Sequence, residues 1–335
     1  MVSRNNNTMN KQEQPRYMRK RVKLIFNPAS GANRESPLQL MNVIKELQAR
    51  HFVAEPYLTE PDSDLPSVVQ DAVVHGFRIF VVCGGDGTVS AVARALRGLD
   101  ATLGIIPTGT QNNVAFGLGI PADIPAAIDI LRTGRRHKVD MGIATCNGKS
   151  MPFLEICSVG LFSALFEAGD AIQHGNIARI GDFLATLTAL PPSEMHILLD
   201  DKKEISNTGH VILVSNMPYV GRHFQVGTPD CFKDGLFDVL FCSDISKLDL
   251  LVGYMLKVPG INAENDPRIR NYQVSKINIE THPAMAVMAD GILLGEGPVQ
   301  IEMQRQALAV ILPAATDITV ETGESHGKQK SRAQK

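Results

Sequence analysis

The 335-residue sequence contains no tryptophan, and aromatic residues make up only 5 % of it. So few aromatic rings argue against a surface on which nucleic-acid bases stack. An excess of charge of one sign is also missing, because 33 Lys and Arg stand against 35 Asp and Glu, for a formal net charge of −2. No strong field therefore points to nucleic acid or to an anionic surface as the main partner, and we expect no nucleic-acid ligand.

Long hydrophobic runs are missing as well. No stretch approaches the ~20 apolar residues that cross a bilayer, and the polar first twenty residues lack the apolar core of a signal peptide. The five cysteines show no CxxC spacing and several lie in apolar runs, which favours buried thiols in a reducing compartment over disulfides or a metal site. We therefore expect a cytoplasmic chain. Residues 1–20 and 314–335 read as disordered polar tails, with attraction to a membrane as an alternative role.

Short apolar runs alternate with amphipathic segments between residues 21 and 140. Strands are predicted at residues 22–26, 53–58, 78–83 and 103–107, and helices at residues 37–50, 65–75 and 89–96. This alternation predicts an α/β domain with a mostly parallel sheet that helices cover on both faces.

The pattern changes after residue 140, where strands follow one another through Gly, Asn and Asp turns. Strands are predicted at residues 141–146, 153–158, 196–199, 210–215, 237–241, 274–280, 285–289 and 299–303, with helices at 177–190 and 248–257. Residues 141–313 are therefore predicted to form an antiparallel β-sandwich domain. A last strand at residues 308–313 fits either domain.

Three turns follow predicted strands of the first domain. They are Asn-Pro-Ala-Ser-Gly at residues 27–31, Gly-Gly-Asp-Gly-Thr at 84–88 and Pro-Thr-Gly-Thr at 107–110. Because the carboxyl ends of parallel strands meet at one sheet edge, the turns should lie together. Glycines let backbone N–H groups approach a phosphate, and Asp86 suits Mg²⁺, with helix capping as the alternative. The sequence has neither a GxxxxGK[ST] nor a GxGxxG loop, which excludes those two phosphate-binding devices.

These turns resemble, in sequence and in order, the nucleotide-site motifs of the diacylglycerol kinase catalytic family, which includes bacterial lipid kinases, sphingosine kinases and ceramide kinases. Further matching motifs lie at residues 139–142, 158–160, 233–238, 290–291 and 307–313. The resemblance implies an N-terminal domain at residues 21–140 similar to that of NAD kinases and phosphofructokinases, followed by the β-sandwich lipid-substrate domain. It implies an ATP-dependent lipid kinase with ATP and Mg²⁺ bound in the cleft between the domains.

The resemblance also implies roles for individual residues. Asp86 and Asp140 match acidic groups that act on Mg²⁺ through water. The residues that would contact the nucleotide are Asn27, Ser30, Gly31, Thr59, Gly85, Gly87, Thr88, Thr110 and Asn113. A second, structural Mg²⁺ would be held by the Asp234 carboxylate and the carbonyls of Cys231 and Leu236, although an Asp-Gly pair is also ordinary hairpin chemistry. The implied partner is diacylglycerol or a related lipid alcohol, met by transient peripheral contact with the membrane, and a homodimer is allowed.

Three positions depart from the family pattern. Ile292 follows the Asp290-Gly291 pair where the family usually has Glu as general base, Asn113 replaces a common Asp, and Ala91 replaces a frequent Glu. General-base help is typically worth ~10²–10⁴-fold, yet phosphoryl transfer depends mainly on positioning and charge neutralisation. Glu296 and Asp290 are the candidate substitute bases, with a solvated turn as the alternative for Glu296.

Two other functions remain open from the sequence. Ile292 and Asn113 also fit a nucleotide- or lipid-binding protein that has lost catalysis and acts as a sensor or binds partners. The Gly-Gly-Asp-Gly-Thr loop fits a kinase of a soluble alcohol such as NAD, against which the motif at residues 27–31 stands. Leu161, Phe162 and Leu165 either line a cleft for acyl chains or belong to the core.

Overall fold

A computed structural model describes residues 19–31, 36–163, 192–220, 224–243 and 269–314. The helices predicted at residues 177–190 and 248–257, Leu165 and nearly all of both predicted tails lie outside the described residues. No helix within the described part of the chain is both long enough and apolar enough to span a membrane.

The N-terminal domain is a parallel sheet with helices on both faces. Its strands pair in the order β4–β3–β1–β2, and its elements are β1 (Lys20–Phe26), α1 (Ser36–Ala49), β2 (Phe52–Leu58), α2 (Leu65–Val74), β3 (Ile79–Gly84), α3 (Asp86–Leu96), β4 (Thr102–Pro107), α4 (Asn113–Gly117) and α5 (Ile124–Thr133). Val69 of α2 and Val92 of α3 pack on one face, and Val43 and Leu47 of α1 on the other. Burial on both faces explains why β3 and β4 are almost continuously apolar.

The C-terminal domain is built from antiparallel strands. They are β5 (Arg135–Cys146), β6 (Lys149–Phe153), β7 (Ile156–Gly160), β8 (Ser193–Leu199), β9 (Lys203–Ser215), β10 (Tyr219–Val220), β11 (Phe224–Gln225), β12 (Phe237–Ser243), β13 (Ile269–Val274), β14 (Lys276–His282), β15 (Ala286–Ala289), β16 (Ile292–Glu296) and β17 (Val299–Leu312). Their inward side chains, such as Phe153, Ile197 and Phe237, form one buried core. An α/β domain followed by an antiparallel β-sandwich was predicted, and this fold class is confirmed.

Strand β17 connects the two domains. Its first residues pair with β14, its last residues Ala309 and Val310 pair in parallel with β4, and β5 pairs along it on both sides of an irregularity after Gln304. The predicted strands at 299–303 and 308–313 are therefore one strand that belongs to both domains. The boundary predicted at residue 140 lies inside β5, so a division of the chain at that residue stays a prediction.

The strand predicted at residues 153–158 is interrupted, because β6 ends at Phe153 and β7 begins only at Ile156. The cause is the side chain of Asp290. Its Oδ2 accepts the N–H of Leu154 at 2.7 Å, and its Oδ1 accepts the N–H groups of Glu155 and Ile156 at 2.9 and 3.0 Å. These N–H groups bind a carboxylate instead of a neighbouring strand, and the chain bends there. The prediction of one continuous strand was wrong.

Candidate active site

The three turns meet at the carboxyl edge of the parallel sheet. The side-chain amide of Asn27 donates to Thr88 Oγ1 at 2.8 Å, which joins the first turn to the second. Thr108 donates its N–H to the carbonyl of Gly84 at 3.1 Å and its hydroxyl to Ser30 Oγ at 3.4 Å. Side chains and backbone therefore hold the turns against one another, as expected for neighbouring strand ends.

Two close backbone approaches explain glycines in these turns. Gly31 has φ +85°, and a Cβ there would lie 2.5 Å from the carbonyl oxygen of Thr108. A Cβ on Gly109 would lie 2.4 Å from the Cα of Gly85. Gly87 is different, because it is exposed and a Cβ there would meet nothing within 4 Å. Packing against the described residues therefore does not require a glycine at this position.

The other predicted nucleotide contacts lie at the same edge. Thr59 donates its N–H to the carbonyl of Phe26 at 2.9 Å and so follows β2 beside the first turn. Thr110 is exposed directly after Gly109. The structure thus brings together eight of the nine residues predicted to contact a nucleotide, and Asn113 follows a few residues later at the start of α4.

Asp86 joins the Gly-rich loop to the start of α4. It is the first residue of α3, and its Oδ1 accepts the N–H of Val114 at 3.0 Å. Burial raises the pKa of Asp86, nearby backbone N–H groups of residues 112–114 oppose this rise, and Asp290 adds to it. The carboxylate is therefore a cap for the neighbouring helix and also lies at the loop, so both roles considered for it are compatible with its position.

Glu155 is a residue of this region that the sequence analysis missed. Only 7 % of it is exposed, and its Oε1 accepts a hydrogen bond from Asn113 Nδ2 at 2.9 Å. Burial raises the pKa of Glu155 well above its ordinary value, and Asp86 and Asp290 raise it further. A signal was present in the sequence, since a charged residue inside the apolar run of residues 153–157 is rarely buried without a partner.

One guanidinium accompanies these three carboxyl groups. Arg94 Nη1 lies 3.9 Å from Asp290 Oδ2, and burial lowers the pKa of Arg94 while Asp290 opposes that effect. The same nitrogen is buried without a hydrogen-bond partner within the described residues. Three carboxyl groups, of Asp86, Glu155 and Asp290, therefore share this region with one guanidinium. Such a surplus of carboxyl groups suits a divalent cation.

A cation here would be held largely through water. Within the described ranges, no three His, Cys, Asp or Glu side chains are grouped so that they could bind a metal directly. Mg²⁺ typically keeps several waters and uses one or two carboxylates together with substrate phosphates. The residues present fit that arrangement, with Asp86 at the loop and Glu155 behind Asn113.

Asp140, predicted with Asp86 to act on Mg²⁺, has hydrogen-bond donors at both of its carboxylate oxygens. Asp140 is 2 % exposed, its Oδ2 accepts the N–H of Gly235 at 2.8 Å, and its Oδ1 accepts the N–H of Gln306 at 2.6 Å. Both oxygens are therefore engaged in joining β5 to β17 and to the turn at Gly235. Asn216 links this place to the bend before β7, because its Nδ2 donates to the carbonyls of Asp140 and Leu154.

The predicted structural Mg²⁺ loop is compact. Asp234 Oδ1 accepts the N–H of Leu236 at 2.8 Å, and Arg305 donates to the carbonyl of Asp234 at 3.0 Å. Burial raises the pKa of Asp234, Asp238 and Asp140 raise it further, and Arg305 lowers it. The surroundings of Asp234 are thus acidic and suit a cation. The assignment of Asp234, Cys231 and Leu236 as its ligands stays a prediction.

Glu296 does not reach the carboxylate cluster. It is exposed at the end of β16, where its carbonyl accepts the side-chain amide of Asn147 at 2.8 Å. Glu296 lies four positions along β16 from Ile292, a distance of ~13 Å. Ile292 itself packs against the sandwich core. The carboxylate of Glu296 therefore does not lie at the position of the missing base. The other candidate, Asp290, already accepts hydrogen bonds from three backbone N–H groups.

Leu161 and Phe162 belong to a second apolar cluster of the sandwich. Leu161 is 5 % exposed and lies with Ile156, Leu213 and Leu240, and the partly buried Phe162 packs against the same group. Of the two roles considered for them, the structure shows core packing.

Family models match both parts of the chain. The diacylglycerol kinase catalytic domain matches residues 21–144, and the YegS C-terminal NAD kinase β-sandwich-like domain matches residues 171–312. An uncharacterized protein of Synechocystis is 27 % identical over 308 residues, which cover 87 % of this chain and 70 % of that protein. A diacylglycerol kinase of Mycobacterium tuberculosis is 29 % identical over 297 residues, covering 88 % of this chain and 95 % of the relative.

Solved structures agree on the fold. A crystal structure of a diacylglycerol kinase from Bacillus anthracis superposes with a TM-score of 0.67 at 24 % identity, covering 88 % of this chain and 98 % of that one. The two matching models follow each other in the order of the two observed domains. The chain therefore belongs to the diacylglycerol kinase catalytic-domain family, with the β-sandwich-like second domain of that family.

Proposed function

We propose that this chain is a lipid kinase that transfers the γ-phosphoryl group of ATP to the hydroxyl of diacylglycerol or a related lipid alcohol at a membrane surface. In this transfer the hydroxyl oxygen forms a bond to phosphorus, the bond from phosphorus to ADP breaks, and the hydroxyl proton leaves to a base or to water. The observation that carries the proposal is the meeting of the three turns beside the carboxyl groups of Asp86 and Glu155, in a chain related to named diacylglycerol kinases.

The Gly-rich loop would bind the phosphates through its backbone. Helix α3 begins at Asp86, so the N–H groups of Gly87 and Thr88 belong to a first turn that has no intrahelical acceptors. Such N–H groups and the helix dipole favour phosphate oxygens. Asn27 fixes the hydroxyl of Thr88, which holds the loop in the shape needed for this binding.

The carboxylates would complete the site with a cation. A bound Mg²⁺ supplies positive charge that neutralises the phosphates during transfer. Asp86 holds α4 against the loop through Val114, and Glu155 supplies a carboxyl group from the second domain, which would release its proton when a cation binds. Positioning and charge neutralisation account for most of phosphoryl-transfer catalysis, so activity is compatible with isoleucine at residue 292.

Gly87→Ala tests the backbone phosphate site with little risk to folding. A Cβ at this position meets no atom of the described structure, and alanine inside a helix is favoured over glycine by ~1 kcal/mol. We expect unchanged or slightly raised thermal stability, together with a loss of ATP binding by calorimetry. We also expect a loss of ³²P transfer to diacylglycerol in mixed micelles. Glu296→Gln is the matched control and should leave binding and transfer unchanged.

A result in which Gly87→Ala binds ATP as the unchanged protein does would contradict the phosphate site. A wild-type protein that binds ATP but transfers no phosphate to diacylglycerol, sphingoid alcohols or NAD would contradict the kinase proposal. That outcome would favour the second candidate, a nucleotide-binding sensor. The observation behind this second candidate is that Ile292 packs against the core while Glu296 lies at the other end of β16.

A further inference from the structure

Asn113 and Glu155 face each other across the junction of the two domains, with an amide on one side and a carboxylate on the other. Asn113 opens α4 in the first domain, and Glu155 lies in the bend between β6 and β7 of the second. Asn113 Nδ2 donates to Glu155 Oε1 at 2.9 Å. Asp290 fixes the bend by accepting the backbone N–H of Glu155. The carboxylate is therefore held at a defined place by both its side chain and its backbone.

This pair lies on the side of α4 that faces the Gly-rich loop. The residue after Asn113 donates its N–H to Asp86 Oδ1 at 3.0 Å. Of the neighbouring charges, Asp86 raises the pKa of Glu155 the most. Asp86, Asn113 and Glu155 thus surround the start of one short helix, next to the place where the phosphates would bind.

The pair is not fully hydrogen-bonded. Asn113 Oδ1 is inaccessible to solvent and has no hydrogen-bond partner in the described part of the chain. Only 7 % of Glu155 is exposed, yet the guanidinium of Arg94 pairs with Asp290 and not with Glu155. An unsatisfied buried polar group costs ~1–3 kcal/mol. A hydrated cation that entered beside these two residues would satisfy the amide oxygen and the carboxylate together, since Mg²⁺ and its waters favour hard oxygen groups.

We propose that Glu155 supplies, from the second domain, the carboxylate that Asn113 lacks at the nucleotide-bound cation, so that the two residues form an exchanged acid–amide pair. The inference rests on the proposed nucleotide site and deepens it. The acid acts on the cation through water and through Asn113. The cation site is then complete only when the second domain is docked on the first.

Three isosteric variants test the exchange. Glu155→Gln keeps an oxygen acceptor for Asn113 but removes the charge. Asn113→Asp places a second carboxylate within hydrogen-bond distance of the first, where the two must share a proton. The double variant Asn113→Asp/Glu155→Gln moves the charge to the other partner and keeps the shape. The matched control is Glu296→Gln, which removes an exposed carboxylate of the same domain.

The first readout is Mg²⁺-dependent binding of a non-hydrolysable ATP analogue, measured by calorimetry. We expect Glu155→Gln to weaken it by roughly 10–100-fold, the usual effect of removing a residue that orients metal ligands. The double variant should recover most of this loss, and the control should bind as the wild type does. The second readout is thermal unfolding in EDTA at neutral pH, where Asn113→Asp alone should unfold below the wild type and the double variant should not.

Unchanged Mg²⁺-dependent binding in Glu155→Gln would overturn the inference. So would a double variant that binds as weakly as Glu155→Gln, because the charge would then not be exchangeable. Loss of phosphate transfer with normal Mg²⁺-dependent binding would also overturn it, since Glu155 would then handle the proton and not the cation. If the binding and unfolding results hold while the wild type phosphorylates no lipid, the kinase proposal fails and the pair stands.

Discussion

Two buried carboxylates at the domain junction are held in opposite ways. Asp140 accepts two backbone N–H groups, from Gly235 and Gln306, so each of its oxygens has a donor. Glu155 accepts one neutral amide from Asn113 and has two further carboxyl groups acting against its charge. Both residues are more than nine-tenths buried. Asp140 joins β5 to β17 and to the turn at Gly235, whereas Glu155 contacts Asn113 of the first domain. They differ in whether the protein itself compensates the charge.

This difference distinguishes a structural link from the cation site that we propose at Glu155. Hydrogen bonds to a buried charge stabilise it, and a carboxylate with two N–H donors locks the strands that supply them. A carboxylate without such donors is destabilising unless another group binds to it. Uncompensated polar groups in an otherwise satisfied structure are expected at functional positions. The hydrogen bonds of Asp140 therefore hold β5, β17 and the turn at Gly235 together, whereas Glu155 has only a neutral amide donor at its side chain.

Asp140→Asn should break the structural link and have the largest effect on stability. The new amide offers one acceptor and one NH₂ group to two N–H donors, so one backbone N–H loses its partner inside the protein. We expect a loss of about 3 kcal/mol in the free energy of unfolding, measured by urea denaturation. The protein that remains folded at low temperature should bind ATP normally.

The outcome also tests the role first implied for Asp140. A strong loss of ATP affinity in folded Asp140→Asn, without a loss of stability, would place this carboxylate in the nucleotide site and contradict the structural role described above. Circular dichroism and binding measured on the same samples distinguish the two results.

The three turns and the Glu155 contact differ in how far the sequence predicts them. The turns at residues 27–31, 84–88 and 107–110 were predictable, because strand ends and glycines are local signals and parallel strands bring their ends together. The charge of Glu155 inside an apolar run was also a local signal, but its position at the site was not predictable, since it depends on a bend imposed by Asp290, which lies 135 residues further along the chain. The same limit applies to Arg305, whose contact with Asp234 joins residues 71 positions apart. Local patterns predict elements, while side chains from distant segments decide where those elements break.

Glu155→Gln should make the uncompensated link visible through pH, with a smaller effect on stability than Asp140→Asn. The folded protein raises the pKa of Glu155 above its ordinary value of 4.5, so the folded state keeps a proton that the unfolded state releases. The stability from this group is fully present below that pH and is lost as pH rises toward the folded pKa. Glutamine has no such loss. The stability of Glu155→Gln relative to wild type should therefore increase with pH.

Urea denaturation in EDTA between about pH 5 and about pH 8 measures this trend. Asp86, whose pKa is also raised, Asp290 and Arg94 face the same group, and all three remain in the variant. Glu296→Gln should follow the wild-type curve throughout. Parallel curves for Glu155→Gln and wild type would show that Glu155 carries no buried charge to relieve.

Asp234→Asn should show whether Mg²⁺ binds at the Asp234 loop when no nucleotide is present. Its effect on stability should be the smallest of the three. Asp234 is exposed, but Asp238 and Asp140 make its surroundings acidic. A cation held by its carboxylate would raise the melting temperature with Mg²⁺ concentration, following the usual linkage between binding and stability. We expect a small rise in the wild type and in Glu155→Gln, and none in Asp234→Asn. A rise that survives Asp234→Asn would mean that Mg²⁺ binds elsewhere in the protein. No rise in the wild type would mean that Arg305, which already donates to the carbonyl of Asp234, is the only cation that this loop requires.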